Sequence, residues 1–270
     1  MRIKEKALAH WIENFYGYGS WDAKIWFIAY EESGGDMPED VAERINYFSS
    51  THSENQAALC DIRELYRHVN ARLEGPRAEK FRTLYDHRFG KQAVQHGGWK
   101  NLIAFAHAYR NKKMPNLLQY QQHSFADVKK ANEAFINLYP LPAPHNHAWY
   151  YSWLDMPGLS FIRKRNVYED TVFVNRIHTL FKNIQTYKPG LVLMFGMTNI
   201  NRLKKSVQDF FPDAAFTTSK AIKQRTPQFH RADFNGTTLL ITTQVPTLRH
   251  NRQETGFDWE EFARSVRPSR

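Results

Sequence analysis

The sequence has almost no cysteine: Cys60 is the only one among 270 residues. A single thiol excludes an internal disulfide framework, a four-cysteine zinc ribbon and a four-cysteine iron–sulfur cluster. We therefore expect no cofactor, and any metal would need histidine and carboxylate ligands. Long apolar runs are also missing, since nothing approaches the ~18 consecutive apolar residues of a membrane span. The N-terminal segment shows no apolar core of a signal peptide. The chain is accordingly predicted to be soluble and cytoplasmic, with no membrane partner.

Acidic residues are fewer than basic residues in this chain. The chain has 37 Lys and Arg against 27 Asp and Glu, a formal net charge of +10, and the excess is spread over the whole sequence. Such a balance suits a polyanionic partner, and nucleic acid is the commonest, because Lys and Arg that neutralise phosphates release counterions. Aromatic residues make up 14% of the chain, which adds rings that could stack on bases. A nucleic-acid partner is therefore expected, bound by a monomer.

Four apolar runs of strand length stand out at 24–29, 134–138, 191–196 and 239–243. Helical patterns separate them, for example the apolar stripe Ile177, Leu180, Phe181 and Ile184, which ends before Lys188-Pro189-Gly190. Strands that alternate with helices predict a three-layer α/β fold with a central, mostly parallel, four-stranded sheet. A long insert follows the first strand, at about 39–130, and is predicted to be helical. We interpret residues 1–270 as one domain.

Polar side chains follow these strands. In an open parallel sheet, ligands bind outside the carboxyl ends of the strands, so those residues are the functional candidates. Tyr30, Glu31 and Ser33 follow the first strand. Asn137 lies in the second, where an amide must find hydrogen-bond partners or cost roughly 1–3 kcal/mol. An Asn offers a donor and an acceptor side by side, which matches a pyrimidine edge, although it could equally bond nearby backbone.

Two further loops carry candidates. Trp149 lies in a stretch dense in rings and amides at 145–153, which suits an extruded base but equally a packed surface loop. The loop after the fourth strand is rich in donors and cations: Gln244, Leu248, Arg249, His250 and Arg252. Arg202 and Lys204, on the helix after the third strand, are candidate phosphate contacts, although basic residues there could equally be solvated surface.

The order of these motifs resembles that of the uracil-DNA glycosylase superfamily, whose fold is a four-stranded parallel sheet wrapped by helices, with the site at the strand ends. In that family the first strand ends in a Gly-Gln-Asp-Pro-Tyr or Gly-Glu-Ala-Pro-Gly type of loop. The stretch Ala-Tyr-Glu-Glu-Ser at 29–33 falls at the same place. The resemblance places Glu31 where the water-activating Asp is found and Asn137 where an Asn reads the pyrimidine. Val-Pro-Thr-Leu-Arg at 245–249 is similar in part to the family's His-Pro-Ser loop and its wedge.

The departures from that pattern shape the predicted substrate. Val245 stands where the family often has a catalytic His, so Gln244, His250 or Arg249 must stabilise the leaving base. Ser33 stands where classical members place a Tyr that excludes substituents on the pyrimidine C5 position, and two glycines follow it. The resemblance thus implies a DNA glycosylase that acts on double-stranded DNA and flips a pyrimidine.

The small residues after the first strand favour a C5-modified cytosine as the target. Glucosylated hydroxymethylcytosine of phage DNA is one example, and excising it would make the protein an antiviral defence enzyme. The resemblance implies that Leu248 or Arg249 fills the gap left by the flipped base, and that Arg249, Arg252, Arg202 and Lys204 contact phosphates. No metal is expected.

Three alternatives stay open. The first is a uracil-DNA glycosylase of base-excision repair. The second is a metal-dependent nuclease with Glu31, Glu32 or Asp36 as ligands. The third is a nucleic-acid-binding module without catalysis, in which the residues at the strand ends are structural.

Overall fold

The structure is a computed structural model that describes residues 3–33, 38–69, 73, 75–143, 149–223, 225–246 and 258–267. Its strands are β1 (Phe15–Tyr18), β2 (Ile25–Ser33), β3 (Ala58–Cys60), β4 (Glu133–Ala143), β5 (Leu191–Phe195), β6 (Thr217–Ser219), β7 (Phe229–Phe234) and β8 (Thr237–Ile241). Its α-helices are α1 (Glu5–Asn14), α2 (Pro38–Thr51), α3 (Ile62–Arg67), α4 (Pro76–Lys80), α5 (Leu84–Phe89), α6 (Gly97–Tyr109), α7 (Leu117–His123), α8 (Arg165–Tyr187), α9 (Ile200–Phe210) and α10 (Trp259–Val266). Two 3₁₀ helices, Tyr150–Trp153 and Pro157–Arg163, precede α8.

The strands form one eight-stranded mixed sheet in the order β3-β1-β4-β2-β5-β8-β7-β6. The four predicted strands are β2, β4, β5 and β8, and they lie side by side and mutually parallel at its centre. The prediction of a four-stranded, mostly parallel sheet is nevertheless wrong, because β1 runs antiparallel to β4 and β7 runs antiparallel to β8 and β6. The α/β class and the flanking helices are confirmed.

The outer strands escaped prediction for a physical reason. Strands buried on both faces read as continuous apolar runs, whereas β7 interrupts its buried residues with His230, Arg231 and Asp233, and β6 is polar throughout. One signal was present in the sequence: Asn235-Gly236 joins β7 to β8 with φ of 50° and 79°, the two-residue hairpin turn that Asn-Gly favours. β1 follows α1 directly, and Gly17 allows it to approach β4, because a Cβ there would collide with the carbonyl oxygen of Phe135.

Helices cover both faces of the central strands. Phe27 of β2 contacts Phe105 of α6, with ring centroids 6.0 Å apart, so α6 lies on that face together with α10, which packs on it. The preceding residue, Trp26, contacts Trp21, which stacks on Tyr187 at the carboxyl end of α8. Successive strand residues point to opposite faces, so α8 covers the other side.

The described part of the insert at about 39–130 is mainly helical, as predicted, with α2 to α7, but it also contributes the edge strand β3. The predicted end of α8 is confirmed: Lys188 adopts a left-handed φ of 47° and a proline follows. Within the described ranges, no helix is long and apolar enough to cross a membrane.

Candidate functional site

The candidate site lies at the carboxyl edge of the parallel strands. Tyr30 and Glu31 lie in the carboxyl-terminal half of β2, and Gln244 follows β8. Asn137, the fifth residue of β4, is in register with Ala29 of β2, which in turn pairs with Phe195 at the end of β5. The sheet thus brings these four predicted residues to the edge at which β5 ends. Ser33 is the last residue of β2, but its side chain is not described. The predicted loop residues Leu248, Arg249, His250 and Arg252 lie outside the described residues.

Asn137 is fully buried, yet neither its side-chain nitrogen nor its oxygen has a hydrogen-bond partner among the described residues. In register with it on β2 is Ala29, whose methyl group leaves the amide without a bulky neighbour on that side. An unmade hydrogen bond of a buried polar group costs roughly 1–3 kcal/mol. The amide therefore retains both a donor and an acceptor for a ligand.

The backbone around Asn137 is held by Arg176 of α8, which is also fully buried. Its guanidinium donates to the carbonyl oxygens of Asn137 at 2.7 Å, Leu138 at 3.0 Å and Phe15 at 2.7 Å. It also lies over the ring of Tyr16, 3.5 Å from the centroid. This side chain fixes the peptide from which the Asn137 amide projects, which supports a defined amide orientation.

Glu31 is paired with Arg165, at the first position of α8, and Arg165 also donates to Glu169 at 2.9 Å. Burial raises the pKa of the Glu31 carboxyl above its usual range, and the bond from Arg165 opposes that rise. The carboxylate is thus present at the edge as predicted, but it is oriented by a cation that sequence reasoning missed. An arginine four residues before a glutamate is typical of any solvated helix face, so no sequence signal pointed to it.

Aromatic rings line the edge beside these groups. Tyr30 is half-buried, with its ring 4.7 Å from that of Tyr139. Trp149, also half-buried, packs 5.1 Å from Tyr168 and lies under the guanidinium of Arg165 at 5.5 Å. The indole nitrogen of Trp149 donates to a backbone carbonyl at 2.6 Å, so this side chain offers a ring face rather than a donor. The two half-buried rings keep surface on which a planar ligand could stack.

Glu32, adjacent to Glu31, is bound differently. Its carboxylate accepts from Arg44 at 2.9 Å and from Tyr18 at 3.0 Å, and Arg44 also donates to Asp40 at 2.8 Å. Neighbouring carboxylates that pair with different arginines are not set up to share a cation. The third residue of the nuclease hypothesis, Asp36, lies outside the described residues. Among the residues that the structure describes, no group of three or more His, Cys, Asp or Glu could hold a metal ion.

The end of β8 meets the end of β5. The Gly196 amide donates to the Gln244 carbonyl at 3.0 Å, and a Cβ at Gly196 would lie 2.8 Å from the Val245 side chain. The side-chain nitrogen of Gln244 reaches only the carbonyl of the next residue, at 3.4 Å. Gln244 is therefore at the predicted edge, with its amide turned along its own loop.

The two described phosphate candidates are separated. Arg202 lies over Phe173 at 3.8 Å and pairs with Asp170 at 2.7 Å, close enough to Tyr139 to affect its ionisation. Lys204 instead lies 5.3 Å from the ring of Phe216, toward the β6 end of the sheet. Arg202 thus borders the site, whereas Lys204 does not.

Comparison with known proteins gives no family model, no curated protein and no solved structure that matches this chain. A function for the protein is therefore inferred from the geometry of this edge.

Proposed function

We propose that the protein is a DNA glycosylase that hydrolyses the N-glycosidic bond of a flipped pyrimidine and leaves an abasic site. The observation that carries the proposal is the Asn137 side chain, fully buried at the carboxyl edge with a donor and an acceptor unpartnered among the described residues. A pyrimidine presents a complementary acceptor and donor on its edge. Four adjacent parallel strands at the centre of the sheet also support the resemblance to the uracil-DNA glycosylase superfamily.

The neighbouring groups supply the rest of the chemistry. Cleavage of a glycosidic bond passes through an oxocarbenium-like state, which a carboxylate near the sugar stabilises. Glu31 takes that role and accepts the proton of the attacking water, while Arg165 orients it. The half-buried faces of Tyr30 and Trp149 stack on the extruded base.

DNA is the partner that the surface favours. The net charge is +10, and Trp153, four residues after Trp149, is 83% exposed. The indole contacts the ring of Tyr150, with centroids 6.4 Å apart, but most of its surface is left for base stacking. The protein acts as a monomer, in the cytoplasm, on double-stranded DNA, where Trp153 stacks on a base next to the flipped nucleotide and Arg202 lies near the phosphates.

The substrate that we propose is a C5-modified cytosine, such as glucosylated hydroxymethylcytosine in phage DNA. The support is sequence-based: small residues occupy 33–35, from the last residue of β2 onward, where a bulkier side chain would restrict a substituent on the ring. An enzyme with this specificity would serve in antiviral defence.

The test is to incubate the purified protein with duplexes that differ at one pyrimidine: cytosine, uracil, hydroxymethylcytosine or its glucosylated form. Alkali-labile sites on the glucosylated duplex, with chelator present, are the expected result. Base release from the uracil duplex alone would indicate a repair enzyme and reject the defence function. Strand breaks that need no alkali and vanish with chelator would indicate a nuclease. Binding of all four duplexes without product would indicate a binding module.

A further inference from the structure

The proposed reaction needs a hydrogen-bond donor for the departing base, and residues 242–246, the described segment directly after β8, do not provide an obvious one. Val245 is apolar and 49% exposed, and the Gln244 amide is turned along its own loop. When the glycosidic bond breaks, the electron pair stays on the base, so a donor placed near that negative charge lowers the barrier. A donor from another element at the carboxyl edge would complete the site.

The amino end of α6 reaches this edge. Arg110, just after α6, pairs with Glu133 at the start of β4, and Phe105 is level with Phe27 in the middle of β2. From Arg110 back to His96 the helix rises about 21 Å at ~1.5 Å per residue. β4 covers the same length in about six residues at ~3.3 Å each. The amino end of α6 thus extends to the level of Asn137 and beyond.

Contacts support this placement of the amino end of α6, and they show that it lies on the face of the sheet that carries Asn137. A Cβ on Gly98 would lie 3.7 Å from the carbonyl oxygen of Pro246, in the segment that follows β8. Trp99 contacts Phe125, which contacts Phe135, with ring centroids 5.8 and 6.2 Å apart. Phe135 lies two residues before Asn137 and therefore on the same face of β4. The start of α6 and the unpartnered Asn137 amide share one face and one edge of the sheet.

His96 caps α6 at this point. The backbone nitrogen of Trp99 donates to His96 Nδ1 at 3.2 Å, so Nδ1 carries no proton and the neutral ring holds its proton on Nε2. The imidazole also stacks on the Trp99 ring at 4.4 Å. Its own backbone nitrogen donates to the fully buried Gln121 at 2.8 Å. The ring is thereby held in one orientation and one tautomer.

The environment keeps the ring neutral. Burial lowers the pKa of His96 to about 3, and the positive charge of Arg88 acts in the same direction. The positive end of the helix dipole adds to this effect. A neutral imidazole keeps Nε2–H as a donor throughout the physiological pH range.

We propose that His96 is a catalytic residue whose Nε2–H donates to the departing base, taking the place of the histidine that is absent at Val245. This inference rests on the proposed function. The bond between the base nitrogen and the anomeric carbon breaks, and its electron pair leaves with the base, which accepts the hydrogen bond from Nε2. A water oxygen bonds to the anomeric carbon, Glu31 takes its proton, and the released base takes a proton from solvent.

The test compares His96→Asn with His123→Asn, a matched change at an exposed histidine of α7. Asn keeps a side-chain acceptor for the helix cap but loses the ring donor. Single-turnover base release by His96→Asn should be roughly 10²-fold slower, with unchanged DNA affinity. His123→Asn should match the wild type in both measurements.

The outcomes separate the two proposals. A wild-type protein that releases no base from any duplex overturns both. A wild type that releases base, together with a His96→Asn variant of equal rate, overturns only the role of His96. Nitrogen NMR of the wild-type ring provides a check that does not depend on the variant. The Nε2–H tautomer should persist from pH 8 to about pH 5, and a ring protonated at pH 6 would contradict the inference.

Discussion

Two buried polar centres lie near the same edge of the sheet, and they differ in how fully their hydrogen bonds are made. Around Glu32, the side chains of Arg44, Asp40 and Tyr18 bind one another at 2.8–3.0 Å. Asn137 is equally inaccessible, but its amide has no partner among the described residues. The first centre, which we call the Glu32 cluster, ties α2 to β1 and β2.

This difference separates polar groups that stabilise the fold from polar groups that are available to bind a ligand. A saturated buried cluster contributes to the fold, and removing one member leaves the others uncompensated. An unsaturated amide costs stability in the free protein and recovers that cost when a ligand binds. Substitutions at the Glu32 cluster should therefore lower stability, whereas substitutions at the edge should lower activity.

The largest effect is expected from Glu31→Gln. Glutamine keeps the shape but cannot accept the proton of water, so base release should fall roughly 10³-fold, about 4 kcal/mol in the barrier. Single-turnover release and DNA affinity are to be measured together. The affinity should stay near that of the wild type, and full activity in the variant would reject Glu31 as the proton acceptor.

The pH dependence of base release provides a second test of the role of Glu31. Burial raises the pKa of Glu31, and the proposed reaction requires the ionised form of its carboxyl group. The rate of base release should therefore be highest above that raised pKa and should fall as the pH drops through it. The acid limb should be missing in Glu31→Gln.

A loss of about 3 kcal/mol in the free energy of unfolding is expected for Arg44→Met. The change leaves the buried carboxylates of Glu32 and Asp40 without their cation. Denaturant unfolding measures the loss of stability. Arg264→Met is the control, because Arg264 forms an ion pair with Glu260 on the surface of α10. Equal stabilities of the two variants would show that the Glu32 cluster is not structural.

Asn137→Leu sharpens the comparison directly. Leucine is similar in volume to asparagine but cannot form hydrogen bonds with the base. Base release should therefore fall about 10²-fold. The free energy of unfolding should stay equal or rise by up to about 1 kcal/mol, because two unpaired polar groups disappear. Release assays and denaturant unfolding are run on the same preparation. A clear loss of stability would mean that the amide is structural, like the Glu32 cluster.

The smallest effect is expected from Trp153→Ala, which removes an indole that is 83% exposed. DNA affinity should weaken by about 1–2 kcal/mol through lost stacking, with no change in thermal stability. Fluorescence titration of a duplex measures the affinity, and Val174→Ala, on an exposed face of α8, serves as the control. Wild-type affinity in the Trp153 variant would remove this ring from the DNA surface.

The site was predictable from the sequence only in part. Glu31 and Asn137 were identified because they follow or interrupt apolar runs, and the ends of parallel strands meet at one edge. Arg165, Tyr139 and His96 were missed, because each comes from a segment with an ordinary local pattern. His96 in particular belongs to the insert, whose approach to the edge depends on how α6 packs across β4.

Local patterns were enough to predict the four central strands and the end of α8, since continuous apolar runs and a left-handed residue before proline act locally. They were not enough to predict the full width of the sheet, because β1, β3 and β6 have only three or four residues each and β7 lacks a continuous apolar run. Which polar residues are satisfied depends on the tertiary structure, because the bonds of Glu32 with Arg44 and of Arg176 with the Asn137 carbonyl join separate elements. The Asn137 amide, unpartnered among the described residues, is thereby distinguished from the Glu32 carboxylate and the Arg176 guanidinium, whose hydrogen bonds are made.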